Sequence, residues 1–161
     1  MKWGAILTCT LLWMPICASA QQVVEKQDSF TGATTWNWSV PNESGPSMDI
    51  DGLAPKNEPV HFLLDIEFYS NQWRYLDCHS VHWLVDGQRV NLVFHYMPHM
   101  TDDGVIEQFV LVLTPSAMKM LSDAKSIRYE ICGDAYSFNS KELQGVKQIY
   151  SAVMSWSRIS K

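Results

Sequence analysis

The sequence predicts an α+β fold: an antiparallel β-sheet or sandwich of five to seven strands, flanked by a short helix and a C-terminal amphipathic helix. Three features predict it. Apolar and polar residues alternate over several short runs between residues 60 and 132, the period of a strand with one buried face. Short turns join those runs, which favours antiparallel pairing over crossovers. Helical apolar spacing occurs twice, after Thr114 and after Asn139. A chain of 161 residues suits one domain, and 47% hydrophobic against 18% charged residues supplies a core.

Residues 1–20 have the layout of a secretory signal peptide. Lys2 is the only charge, an apolar stretch runs from Ala5 to Ile16, and Ala18-Ser19-Ala20 is a small-x-small exit. Cleavage there predicts a mature N-terminus at Gln21. A membrane anchor needs about 20 apolar residues, and this run is shorter. Cys17 raises the alternative of a lipidated cysteine, but Pro15-Ile16 lacks the small residue expected just ahead of one.

Residues 21–59 are the least defined segment. Gln21 to Gly32 is polar with little periodicity. Trp36, Trp38 and Val40 alternate with Asn37 and Ser39, so a short strand is expected with both indoles on one face. Pro41 to Pro59 carries four prolines, two glycines and several Asn, Ser and Asp, and reads as a loop.

Residues 60–161 read as the α+β core, in one domain with 21–59. Val60 to Ser70 alternates with Phe62, Leu64, Ile66 and Phe68 on one face. Tyr75–Val85 and Gln88–Tyr96 form a predicted hairpin, because Asp86-Gly87 suits a two-residue type I′ turn. That register sets Trp83 opposite Val90, Val81 opposite Leu92 and His95 opposite Cys78. Pro98 to Gly104 reads as a loop and Val105 to Leu113 as a strand. Thr114-Pro115 supplies a hydroxyl cap and a first-turn proline for a helix to about Ala124. Ser126 to Cys132 alternates again, Gly133-Asp134 is a turn, and Tyr136 and Phe138 return in a short strand. Asn139 and Glu142 form a capping box for the last helix.

Two cysteines leave with the signal segment, and Cys78 and Cys132 remain. In an oxidising compartment that pair predicts a disulfide closing a loop of about 50 residues, worth about 4 kcal/mol in chain-entropy models. The charge, 12 Lys+Arg against 17 Asp+Glu with no basic cluster, argues against nucleic acid and anionic membrane surfaces.

No catalytic residue, cofactor or metal site is assigned from the sequence. All five histidines lie between 61 and 99, but His79 and His82 are three apart on an expected strand and point to opposite faces. There is no His-Glu-x-x-His, Cys-x-x-Cys, Gly-x-Ser-x-Gly or phosphate-cradling glycine loop. Asp65 and Glu67 share one strand face and read as solubilising acids. Asp102-Asp103-Gly104 reads as a turn, since a calcium loop needs more ligands at regular spacing. Asn37-Trp38-Ser39 and Asn42-Glu43-Ser44 match the glycosylation sequon, which acts only in a eukaryotic secretory pathway. The remaining candidates are aromatic: Trp36, Trp38, Trp73 and Tyr75 would form a ligand-binding patch if exposed.

The run of Val85-Asp86-Gly87, Leu113-Thr114-Pro115, Ala124-Lys125, Ile131-Cys132-Gly133-Asp134 and the terminal amphipathic helix resembles small exported bacterial proteins of uncharacterised families. The likeness covers about residues 60 to 155. It implies a secreted or periplasmic location and transfers no catalytic residue. The function expected is non-enzymatic binding of an envelope protein or other envelope component. Two alternatives are a carbohydrate or small apolar ligand held by the aromatics, and an enzyme with a dispersed site around His82 or His95 and an acid.

Overall fold

The computed structural model describes residues 22–40, 45–56 and 58–159. The expected signal segment and the Asn42-Glu43-Ser44 sequon lie outside the described residues. Two antiparallel sheets and two helices make up the fold. The larger sheet has the order β1-β2-β3-β4-β8-β7, from Val24–Gln27, Thr34–Val40, Ser47–Ala54, His61–Ser70, Gly104–Leu113 and Phe94–Thr101. The smaller sheet has the order β10-β9-β5-β6, from Asp134–Ser137, Ile127–Ile131, Val81–Val85 and Gln88–Val90. Helix α1 spans Pro115–Asp123 and α2 spans Ser140–Ile159.

The α+β class is as expected, but the described residues form ten strands rather than five to seven. The largest difference is β3, in the stretch read as a loop. Met48, Ile50 and Ala54 alternate inward there, while Asp49 and Asp51 face outward. Two aspartates and Gly52 give this strand poor intrinsic propensity. Pairing with β2 and β4 on both sides holds it in the sheet. Polar β1 is likewise added as an edge strand on β2.

The expected 75–96 hairpin is shorter than its pattern. Asp86 and Gly87 both have positive φ, 49° and 80°, as a type I′ turn requires, and Trp83 pairs with Val90. Pairing stops at Val90. Val81 pairs with Ile131, and Leu92 is buried but outside any strand. The chain then leaves the smaller sheet and enters the larger one at Phe94, so His95 lies opposite Val110 and not Cys78. The 98–104 stretch is also strand for most of its length. Pro98 is accommodated because β7 is an edge strand, where a missing N–H breaks no inner ladder. Between β9 and β10 the turn is Cys132-Gly133, with φ of 52° and 99°, one residue earlier than expected.

Both helices keep their expected starts. Thr114 Oγ1 accepts from Ala117 N at 3.2 Å, with Pro115 in the first turn. Asn139 Oδ1 accepts from Lys141 N and Glu142 N, and Glu142 Oε2 accepts from Asn139 N, closing the capping box. Apolar residues of both sheets and both helices form one buried cluster, from Trp36 to Val153. Helix α2 lies on the inner face of β2 and β3. A Cβ at Gly145 would overlap the Trp38 indole, so the close approach of helix and strand depends on glycine there. Trp36 meets Trp156 at 5.6 Å and Phe62 meets Tyr150 at 6.1 Å between ring centroids. Farther along the sheet Phe68 packs on Tyr136 at 5.2 Å, which joins the inner faces of the two sheets.

Candidate functional site

One side of the larger sheet is thus consumed by the core. Strand alternation sends the other residues to an outer face on which neither helix nor the smaller sheet packs. The surface has an acidic centre. Asp49 and Asp51 on β3 stand beside Asp65 and Glu67 on β4, with Asp49 directly opposite Asp65. Gln108 on β8 donates through Nε2 to Asp65 Oδ2 at 3.2 Å and to Glu67 Oε2 at 3.0 Å. Asn37 on β2 donates to Asp51 Oδ1 at 2.8 Å. Asp65 Oδ1 is buried and has no hydrogen-bond partner.

Crowding four carboxylates costs free energy when all ionise. Partial burial, then repulsion from Glu67, Asp49 and Asp51, pushes the Asp65 carboxyl up to about 6 from its ordinary 3.8. Burial first, then Asp51 and Glu67, also raises Asp49, against a hydrogen bond from Ser39 that lowers it.

An apolar border flanks these acids on the β4, β8 and β7 side, while Asn37 and Ser39 of β2 lie opposite Asp51 and Asp49. Leu63, Ile106 and Val110 are half-buried on the same face. Tyr69, Met97 and Val112 are 58%, 52% and 52% exposed, and Val24 lies at the far edge. By register, His61, His95 and His99 belong to this face too. Large exposed apolar side chains that share one open sheet face are what a docking surface presents, whereas scattered ones carry no such meaning.

The structure corrects the aromatic patch read from the sequence. Trp36 and Trp38 do share a face, but it is the buried one, at 1% and 2% exposure. Tyr75 is equally buried and Trp73 is half-buried. The four do not form an exposed platform, because Trp36 and Trp38 fill the space under α2 while Tyr75 closes a polar seam between the sheets. In that seam Glu107, fully buried, accepts from Arg74 N and Tyr75 N at 2.8 Å each and from Tyr96 Oη at 2.6 Å. Tyr75 Oη donates to Asp134 Oδ2 at 2.9 Å and meets Tyr136 Oη at 2.6 Å, while Arg74 pairs with Asp134 at 3.0 Å. Burial, then these hydroxyl and carboxylate neighbours, drives the Tyr75 phenol far above its ordinary value. The seam ties the backbone at Arg74 and Tyr75 to Glu107 on β8.

Cys78 and Cys132 are joined in a disulfide, with Cα atoms 5.9 Å apart. Bonded sulfurs supply neither a nucleophile nor a thiolate ligand. Among the described residues no three His, Cys, Asp or Glu side chains group to hold a metal ion. No described helix is long and apolar enough to cross a membrane. Of the acidic centre, the sequence exposed only the Asp65/Glu67 pair. Alternation of Met48, Ile50 and Ala54 was the one signal that would have added Asp49 and Asp51. No protein-family model, curated protein or solved structure matches the chain.

Proposed function

We propose that the chain is an exported domain, secreted or periplasmic, that acts without catalysis by binding a protein of the envelope on the outer face of the larger sheet. One observation carries this reading. Four carboxylates are held together in the middle of an open sheet face, with the Asp65 carboxyl pushed up by burial and by its neighbours, and exposed apolar side chains flank them on the β8 and β7 side. A protein keeps such a destabilising arrangement where function needs it. The complementary partner is a protein surface that presents Lys or Arg side chains within an apolar border, so that association neutralises the acids and covers Tyr69, Met97 and Val112. The signal-like residues 1–20, the disulfide and the resemblance to small exported bacterial proteins support the location. A glycan reading has less support, because sugar stacking uses exposed rings, and of the tryptophans expected to provide them Trp36 and Trp38 are buried and Trp73 is half-buried.

A photo-crosslinking amino acid at position 112, expressed in the exporting host, tests the reading. One discrete crosslinked protein is expected, absent when the probe sits at position 84 on the smaller sheet, and lost in Asp65→Lys/Glu67→Lys. A crosslink to a second copy of the chain, a yield independent of the charge reversal, or equal yields at both positions would overturn it. Intact mass of the exported product tests the location: loss of residues 1–20 is expected, and a product that retains them would refute export by this signal.

A further inference from the structure

The smaller sheet carries a second, chemically opposite surface, which is independent of the reading above. Its inner side chains, Trp83, Val85, Ile127, Tyr129 and Ile131, are buried in the core. Its outer side holds a half-open depression of about 240 Å³. Register explains how the lining comes together. Leu84 on β5 lies opposite Arg89 on β6 and opposite Arg128 on β9, so two arginines flank one leucine across three strands. One row farther on, His82 lies opposite Glu130, and Glu130 lies opposite Ala135 on β10. All six line the depression.

The two arginines are chemically unspent. Arg74 has Asp134 as its partner, but Arg89 and Arg128 have no ion pair or side-chain hydrogen bond among the described residues. Glu130 in the neighbouring row makes no ion pair with either. In a chain with 17 acidic residues against 12 basic ones, this spot sets two cations beside a single lining carboxylate that pairs with neither. An anion seated between the two makes charge-assisted, bidentate hydrogen bonds to the planar guanidinium groups.

We propose that this depression binds a small organic oxyanion, whose carboxylate or phosphate group sits between Arg89 and Arg128 over Leu84. The volume is below the roughly 300–1,000 Å³ of drug-sized sites and suits a ligand of a few heavy atoms. Leu84 and Ala135 give its carbon body an apolar floor. His82 and Glu130 offer a polar contact at the far end, which suits a ligand with a hydroxyl or amine beyond its anionic group.

Titration of the isotope-labelled, disulfide-intact protein with inorganic phosphate and, separately, with succinate, followed by amide NMR at constant ionic strength, tests the proposal. A saturable shift confined to residues 82–90 and 127–136 is expected for at least one probe, and the probe that saturates identifies the anionic group. Arg89→Gln/Arg128→Gln should weaken that binding at least tenfold. Both side chains are exposed, so an unchanged spectrum away from the depression verifies the fold of the variant. Shifts that grow linearly with both probes, shifts that sodium chloride reproduces, or binding unaltered in the double variant would each overturn the assignment.

Discussion

Replacing Asp65 by asparagine should stabilise the protein at neutral pH and leave it nearly unchanged in acid. The folded-state carboxyl lies at about 6 and its ordinary value is 3.8. Because the folded pKa is the raised one, the folded state binds the Asp65 proton more tightly than the unfolded state does. Below 3.8 both states are protonated and the residue is neutral toward stability. Between 3.8 and about 6 stability falls as pH rises, and above about 6 the full cost persists. At about 1.4 kcal/mol for each tenfold change in proton affinity, the upper bound is about 3 kcal/mol. Asp65 is partly solvated, so screening reduces this to roughly 1–2 kcal/mol. Asparagine has the same shape, keeps an oxygen to accept from Gln108 Nε2, and never ionises. Urea unfolding of both proteins at pH 4 and pH 7.5 measures the effect. The expected gain is roughly 1–2 kcal/mol at pH 7.5 and under about 0.5 kcal/mol at pH 4. An equal gain at both pH values would trace the effect to packing, and a loss at pH 7.5 would mean that the acidic centre is held by compensating contacts.

Four further outcomes test the scaffold. Glu107→Ala orphans the N–H groups of Arg74 and Tyr75 and the hydroxyl of Tyr96, so denaturant unfolding should register a loss of about 4 kcal/mol or more, with a smaller loss for Glu107→Gln. Gly145→Ala gains helix propensity, yet its methyl group meets the Trp38 indole; a net loss of about 1–2 kcal/mol is expected, and a gain would show that α2 can lift from the sheet. Trp83→Ala empties a site that is 1% exposed and should cost about 3–5 kcal/mol, whereas a loss below about 1 kcal/mol would contradict its burial. Reducing the Cys78–Cys132 bridge, which spans 54 residues, should lower stability by about 4 kcal/mol while the far-UV spectrum at low denaturant is retained; thiol titration of the denatured, unreduced protein should find no free thiol from these two positions.

Local chemistry by itself determined the parts of this protein that depend on near neighbours in the chain. Asp86-Gly87 dictates its turn because few other pairs tolerate two positive φ angles. Thr114-Pro115 and the Asn139/Glu142 box place two helix starts, since each satisfies backbone N–H groups within three residues. Alternation in 62–68 and 105–113 determined which side chains face inward, and Cys78 and Cys132, each beside a strand pattern, pointed to the bridge. Tertiary structure decided what depends on a partner strand. Ser47–Ala54 is a strand because β2 and β4 supply hydrogen bonds on both edges, against the preference of its aspartates and glycine. Residues 88–101 divide between two sheets because Phe94 and Tyr96 find Phe109 on the larger sheet, a choice that alternation cannot encode. Which face of Trp36 and Trp38 is buried was settled by α2, more than 100 residues away in the chain. Both candidate sites belong to this second class. Asp49 meets Asp65, and Arg89 meets Arg128 across Leu84, only after strands distant in sequence pair, because a sheet gathers side chains by register rather than by proximity along the chain.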